Sequence, residues 1–282
     1  MSDQIVYLNG ELVPLAEARI PVLDRGFIFG DGVYEVVPVY AGRPFRLAQH
    51  LKRLTRSLAA IGIDNPFDDA GWTALVKDLV ARHPWRDQFV YMQVTRGVAR
   101  RDHAFPKGIR PTVFAMTSEF VAPSAEQREQ GVAAITGPDE RWLHCDIKSV
   151  SLLGNVLAKQ TAVEAGAAEC LMFRDGILTE GSSSNIWVVR GGRVFGSPVD
   201  HLVLEGIRVG LLAELCARCG IDYELRRIAR EEVLQADELM LTSATREILP
   251  ITRLDGKPVG EGRPGPVYHR LIDAYQAAKL DA

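Results

Sequence analysis

Long apolar runs are missing from this sequence. No stretch approaches the roughly 18 uninterrupted apolar residues that a membrane-crossing helix needs, so no membrane span is expected. An excess of one charge is missing too. The chain has 33 Lys and Arg against 36 Asp and Glu, a net charge of -3, and its basic residues are scattered. Nucleic acid is therefore not an expected partner. Cysteine is sparse: Cys145, Cys170, Cys216 and Cys219. That usage fits a reducing cytoplasm. The Cys216-Ala-Arg-Cys219 spacing can mark zinc or redox chemistry, but it lies in a Leu-rich helical pattern with no second ligand pair. It reads as two buried or half-buried helix positions, and no metal is expected. Met1-Ser2-Asp3-Gln4 has no basic region followed by an apolar run, so no signal peptide is expected.

What is present is ordinary globular composition, 47% hydrophobic and 24% charged over 282 residues. At roughly 100–200 residues per domain this length suggests two domains. Ile5 to Leu15 reads as a hairpin turning at Asn9-Gly10. A glycine-punctuated loop, Asp24 to Gly32, leads into a strand over Val33–Tyr40. Leu47, Leu51, Leu54, Leu58 and Ile61 recur at alternating spacings of four and three, an amphipathic helix. A second helix carries Trp72, Leu75, Val76 and Leu79, and strands follow near Phe89–Thr95 and Thr112–Thr117. The turn-prone segment Ser118 to Ala125 is the expected boundary, giving domains of 1–120 and 121–282. Beyond it, strands are expected at Val132–Ile135, Trp142–Val150, Glu169–Phe173, Ile186–Val189 and Glu238–Leu241. Helices are expected at Leu152–Ala165, Ile207–Cys219, Arg230–Ala236 and Val267–Leu280.

Four places can carry chemistry. As a strand, Trp142–Ser149 would put Leu143, Cys145 and Ile147 on one face, and Trp142, His144, Asp146 and Lys148 on the other. A strand lysine is ordinarily a solvated surface residue. If its face lines a polar cavity instead, a neutral Lys148 amine can form an imine with an aldehyde cofactor. Glu180, where a hairpin strand enters the hydroxyl-rich Ser182–Asn185 turn, is either a surface carboxylate or a partner for a pyridine nitrogen. A phosphate can be taken by the helix start at Leu204-Glu-Gly-Ile-Arg208, with its N–H groups and positive dipole end, or by Leu241–Thr245. Arg53 can add a charge-assisted fork, although its position off the leucine stripe reads by itself as solvated. The 95–103 loop holds Arg96, Arg100, Arg101 and His103. It is either a basic surface loop or a trap for a substrate carboxylate, which a guanidinium grips with two parallel bonds.

In order and spacing, four segments resemble the fold type IV pyridoxal-phosphate enzymes: Asp24–Glu35, Arg141–Ser149, Leu152–Gln160 and Thr179–Asn185. The likeness runs from Asn9-Gly10 to the final helix, and it is greatest to the bacterial D-amino acid (D-alanine) aminotransferases. It implies an α+β / α/β two-domain fold, with a small α+β N-terminal domain and a larger mixed-sheet, barrel-like cofactor domain. It further implies pyridoxal 5'-phosphate bound to Lys148 as a Schiff base, with Glu180 on the ring nitrogen. Arg53, the backbone of Ile207 and Arg208, and Ala244 would hold the phosphate, with Ser183 and Leu204 completing the cofactor contacts. Tyr34, Arg101 and His103 would trap the substrate carboxylate, and Arg101-Asp-His103 is similar to the D-amino acid branch. A homodimer is inherited from the same likeness.

The sequence departs from the family where Gly206-Ile-Arg-Val209 replaces the usual Gly-Ile-Thr-Arg, and where Ala244 replaces a usual threonine. Two hydroxyl donors are thus missing, and phosphate binding is expected to lean on main chain and on Arg53 or Arg208. The expected reaction is transfer of an amino group from D-alanine, D-glutamate or D-aspartate to 2-oxoglutarate or pyruvate. A branched-chain L-amino acid aminotransferase, an aminodeoxychorismate lyase and a pyridoxal-phosphate carrier or sensor without turnover are the alternatives.

Overall fold

The protein is described here from a computed structural model over residues 4–280. The chain forms two compact units. One runs through Val121 and takes back Ile147–Ser151; the other comprises Ala122–Asp146 and the chain from Leu152 onward. The return of Ile147–Ser151 to the first unit has no signal in composition or periodicity.

The first unit holds β1 (Ile5–Leu8), β2 (Glu11–Pro14), α1 (Arg25–Phe29), β3 (Gly32–Tyr40), β4 (Arg43–Pro44), α2 (Leu47–Ala60), α3 (Asp69–Ala81), β5 (Gln88–Thr95) and β6 (Thr112–Glu119). Its strands form one antiparallel sheet in the order β2-β1-β6-β5-β3-β4. Asn9 and Gly10 close the first hairpin with φ of 51° and 103°, the left-handed pair that a two-residue turn requires. The leucine stripe of α2 packs with Trp72, Val76 and Leu79 of α3 against Val33, Val37, Val90 and Met92 of the sheet. Short helix α1 stands where the sequence reads as a loop. It forms because Asp24 accepts from the Gly26 N–H at 2.8 Å and Gly30 ends it at φ 67°.

The second unit contains α4 (Ala125–Glu129), β7 (Val132–Pro138), α5 (Leu153–Glu164), β8 (Glu169–Arg174), β9 (Ile177–Gly181), β10 (Asn185–Arg190), β11 (Arg193–Gly196), α6 (Ile207–Cys219), β12 (Tyr223–Leu225), α7 (Arg230–Leu234), β13 (Glu238–Ser243), β14 (Glu247–Leu254), β15 (Lys257–Pro258) and α8 (Pro266–Leu280). Its mixed sheet runs β12-β11-β10-β13-β14-β7-β8-β9, with β15 on β14. β7 is parallel to both β14 and β8. The sheet curls toward closure, as the family likeness implies. Leu178 of β9, at one end, donates its N–H to the Ile228 carbonyl and accepts from Ser197 Oγ, just beyond β11.

One expected strand is absent. Trp142–Val150 is irregular backbone leading from β7 to α5, not a strand. The predicted alternation fails with it, for Leu143 is 57% exposed while Cys145 is buried. β7 and β8 are parallel neighbours, and parallel neighbours need a long crossover; this segment is the first part of that crossover. Cys216 is buried and Cys219 half-buried on α6.

Candidate active site

Lys148 lies in the first unit. Its backbone runs along the start of β3: Tyr34 N–H donates to the Lys148 carbonyl at 3.0 Å, Val150 N–H to the Gly32 carbonyl at 3.0 Å, and Val33 bridges Ser149. Ser57 Oγ of α2 accepts from the Lys148 N–H at 3.3 Å. The backbone is thus pinned at several points while the amine is not. Lys148 Nζ lies 4.1 Å from the centroid of the Tyr34 ring, and it makes no hydrogen bond or ion pair among the described residues. Tyr34 stacks on Tyr91 at 5.6 Å between centroids, and burial, then Tyr34, pushes the Tyr91 phenol up to about 12.

Arg53 is buried, which overturns its reading as a solvated residue. Its partner is Glu35 on β3, fully buried. Nε and Nη2 of Arg53 donate to the two Glu35 oxygens at 2.6 and 2.8 Å, and His50 Nδ1 meets the same carboxylate at 2.7 Å. Burial alone would raise the Glu35 carboxyl, but Arg53 and His50 hold it far below the ordinary range. Sequence reasoning singles out neither Glu35 nor His50.

The 95–103 loop divides. Arg96 is buried and withdrawn from any carboxylate trap: it grips Asp31 through Nε and Nη2 at 2.8 and 3.0 Å and also holds the carbonyls of Ile61 and Gly62. Arg101 and His103 are exposed. They come together around Phe29, with the Arg101 Cζ 5.3 Å and the His103 ring 5.4 Å from its centroid. Among the described residues no hydrogen bond, ion pair or ring contact joins Tyr34 to either one.

In the second unit Glu180 ends β9, buried. Its Oε1 accepts from Arg141 Nη1, and its Oε2 from the Leu204 N–H at 3.3 Å and Asn185 Nδ2 at 3.5 Å. Arg141 is itself locked in a fork on Asp139, with both contacts at 2.9 Å. Thr179 Oγ1 and Arg174 also bind Asp139. Burial pushes the Glu180 carboxyl up and Arg141 draws it back, leaving it at about 7. The same carboxylates hold the Arg141 guanidinium above its ordinary value, against its burial. Ser182, Ser183 and Ser184 all donate their hydroxyls to buried Glu169, so the hydroxyl-rich turn is a folded knot rather than a loose loop.

Helix α6 starts at Ile207 with Gly206 as its N-cap, so the first-turn N–H groups point out of the helix end. A side chain on Gly206 would strike Asn185 Oδ1; glycine is what lets the helix end approach that residue. The Arg208 side chain is buried, and its Nη2 donates to Tyr275 Oη of α8 at 2.8 Å. Ala244 lies in the turn between β13 and β14, where Ser243 Oγ accepts from the Arg246 N–H at 3.2 Å. Glu35 and Glu169 have no local signature because their partners are distant in the chain, and Asp139 and Arg141, though neighbours, owe their place at the site to the distant Thr179 and Glu180. For Arg141 the signal is its place at the head of the most family-like segment.

The first unit thus offers in Lys148 an amine without a hydrogen-bond or ion-pair partner among the described residues, and the second offers in Glu180 a buried carboxylate held by arginine. The model of the amino-transferase class IV family matches residues 32–254, and the chain belongs to that family. It is 44% identical over 275 residues to the D-alanine aminotransferase of Bacillus licheniformis, covering 98% of this chain and 97% of that protein. It is 38% identical to the D-alanine aminotransferase of Staphylococcus epidermidis, with 96% of each covered. Among solved structures it matches the branched-chain amino acid aminotransferase of Escherichia coli with a TM-score of 0.93 and 25% identity, over 98% of this chain and 94% of that one. It matches the branched-chain amino acid aminotransferase of Thermoproteus uzoniensis with norvaline with a TM-score of 0.89 and 26% identity, over 99% and 95%.

Proposed function

We propose that this chain is a pyridoxal-phosphate-dependent aminotransferase of D-amino acids, with Lys148 as its working amine. The observation that carries the assignment is the Lys148 Nζ, held over the Tyr34 ring with no acidic partner among the described residues. The donors present fit the cofactor: an amine for its aldehyde, buried Glu180 for its ring nitrogen, and the Gly206-capped start of α6 for its phosphate. Arg53 adds a guanidinium for the phosphate, the Ser243–Arg246 turn around Ala244 adds main-chain donors, and Ser183 and Leu204 flank Glu180. When bound, pyridoxal phosphate supplies an aldehyde for the substrate amine and an electron-poor ring that accepts the pair left at Cα. Lys148 Nζ would hold the cofactor's aldehyde and, once freed, would be the base that accepts and later gives up the substrate's Cα proton. General base catalysis of this kind typically contributes about 10²–10⁴-fold. Glu180 would face the ring nitrogen and favour its protonated form. Arg141 keeps that carboxylate oriented through its second fork on Asp139.

The substrate's carboxylate goes to Arg101 and His103, with Tyr34 beside the reacting amine, and this anchoring selects which hand of the amino acid offers its proton to Lys148. The donors proposed are D-alanine, D-glutamate or D-aspartate, and the acceptors 2-oxoglutarate or pyruvate. The D-alanine aminotransferase relatives, at 35–44% identity, weigh toward this substrate class over the branched-chain neighbours at 22–27%. Assay of D-alanine, L-leucine and aminodeoxychorismate side by side tests it: D-alanine should be the only good donor, and turnover confined to either other compound would overturn the reading.

We assign the working form as a homodimer in the cytoplasm. The support for a dimer is exposed apolar surface, including Leu153, Val156, Leu157 and Val163 of α5, each more than half exposed. No helix among the described residues is long and apolar enough to cross a membrane.

A further inference from the structure

We infer that Phe29 and Arg25 are positioning residues for the substrate carboxylate: Phe29 holds the side chains of Arg101 and His103, and Arg25 holds the loop backbone that carries them. The inference rests on the reading of Arg101 and His103 as the carboxylate trap, and it adds two residues from a different segment.

The geometry is specific. Arg25 is buried. Its Nε donates to Asp31 Oδ2 at 2.7 Å, its Nη1 to the carbonyl of Asp102, and its Nη2 to the carbonyl of His103 at 3.4 Å. Those two carbonyls belong to one of the loop's working residues and its neighbour. A guanidinium fork fixes two acceptors at once, and an ammonium cannot reproduce it. Asp31 is in turn anchored by Arg96, whose guanidinium also carries the Phe105 ring at 3.6 Å. The loop is therefore fastened to α1 and to the segment before β3, while the Arg101 and His103 side chains reach into solvent.

Phe29 supplies what the backbone cannot. Exposed arginine and histidine side chains spread over several rotamers, and ordering them on binding costs entropy. Three groups gather on the one half-buried ring: Arg101 Cζ at 5.3 Å, the His103 ring at 5.4 Å and tilted 42°, and Arg25 Cζ at 4.8 Å. Cations within about 6 Å of a ring centroid are attracted to its face. The ring gives both side chains one preferred placement before substrate arrives, so less ordering is left to be done on binding.

The test is the half-reaction of the holoenzyme with D-alanine, followed by cofactor absorbance, which separates apparent substrate dissociation from the limiting rate. Phe29→Leu keeps apolar bulk and removes the ring. It should weaken D-alanine binding about tenfold, equivalent to about 1.4 kcal/mol, with the limiting rate within about twofold of the parent. Phe29→Tyr should restore binding. Arg25→Lys should weaken binding in the same way. Arg101→Ala is run alongside: if it leaves D-alanine binding unchanged, the trap reading itself is wrong and the inference falls with it. If Arg101→Ala weakens binding but Phe29→Leu and Arg25→Lys do not, the trap stands and the positioning role is refuted. A Phe29→Leu enzyme that loses rate and binding equally, with no recovery in Phe29→Tyr, would also refute it.

Discussion

Replacing Glu35 by Gln removes one charge from the buried core of the first unit with almost no change in volume. In the parent, two arginine nitrogens and a histidine nitrogen converge on that carboxylate within 2.8 Å, and Glu35 is fully buried. Removing one partner of a buried ion pair costs about 3–5 kcal/mol, because the surviving charge has lost its compensation. Glu35→Gln should cost that much, read by urea unfolding with fluorescence from Trp72, which lies in the same core. The double variant Glu35→Leu/Arg53→Met should recover most of the loss, since two apolar residues no longer bury an uncompensated charge. The pH dependence has a definite sign. The folded carboxyl titrates below its unfolded value of 4.5, so its stabilisation is fully present above that value and is lost as pH falls below it. The gap between parent and Glu35→Gln should close in acid. A loss under about 1 kcal/mol, or a double variant as unstable as the single, would refute the reasoning.

Glu180→Gln should leave the protein folded and cut the rate of the D-alanine half-reaction by about a hundredfold or more, with the limiting rate rather than binding affected; an unchanged rate would remove Glu180 from the ring nitrogen. In cofactor-free protein the folded Glu180 carboxyl titrates at about 7 against 4.5 unfolded. Its contribution to stability should therefore decline as pH rises across that window, and Glu180→Gln should abolish that component of a pH–stability profile. Ala244→Thr should tighten the cofactor by restoring a hydroxyl donor, measured as a lower dissociation constant; no gain would count against the phosphate assignment at that turn. Arg101→Ala should weaken D-alanine binding strongly while leaving cofactor affinity unchanged, and retained D-alanine activity would contradict the trap.

Much of the scaffold is legible in the sequence because local rules set it. Asn9-Gly10, the leucine stripe of α2 and the whole extent of α6 are local patterns. Other elements follow from tertiary partners and have no such signature. Pro250 lies inside β14 opposite Met240, where a proline ordinarily argues against a paired strand. The 142–150 segment imitates strand alternation, but its conformation is imposed by hydrogen bonds with β3, by donation from the Lys148 N–H to Ser57 Oγ and by donation from the Cys145 N–H to the His201 carbonyl. The same limit governs the site. Lys148 and Glu180 are visible as members of a motif, whereas Arg53 reads as solvated because its partner, Glu35, lies on a neighbouring strand that periodicity does not reveal. Arg96, one of the loop's cations, is consumed by Asp31, and Phe29 has no role until its ring is seen to gather Arg101 and His103.

The central claim is that Lys148 is the amine that bonds the cofactor. Borohydride reduction of the purified holoenzyme, followed by peptide mapping, fixes the cofactor to whichever amine holds it. A single phosphopyridoxyl label is expected on the peptide that contains Lys148, and none in Lys148→Ala. A label on another lysine contradicts it. Lys159 is the sharpest competitor, since burial lowers its ammonium below the ordinary lysine value.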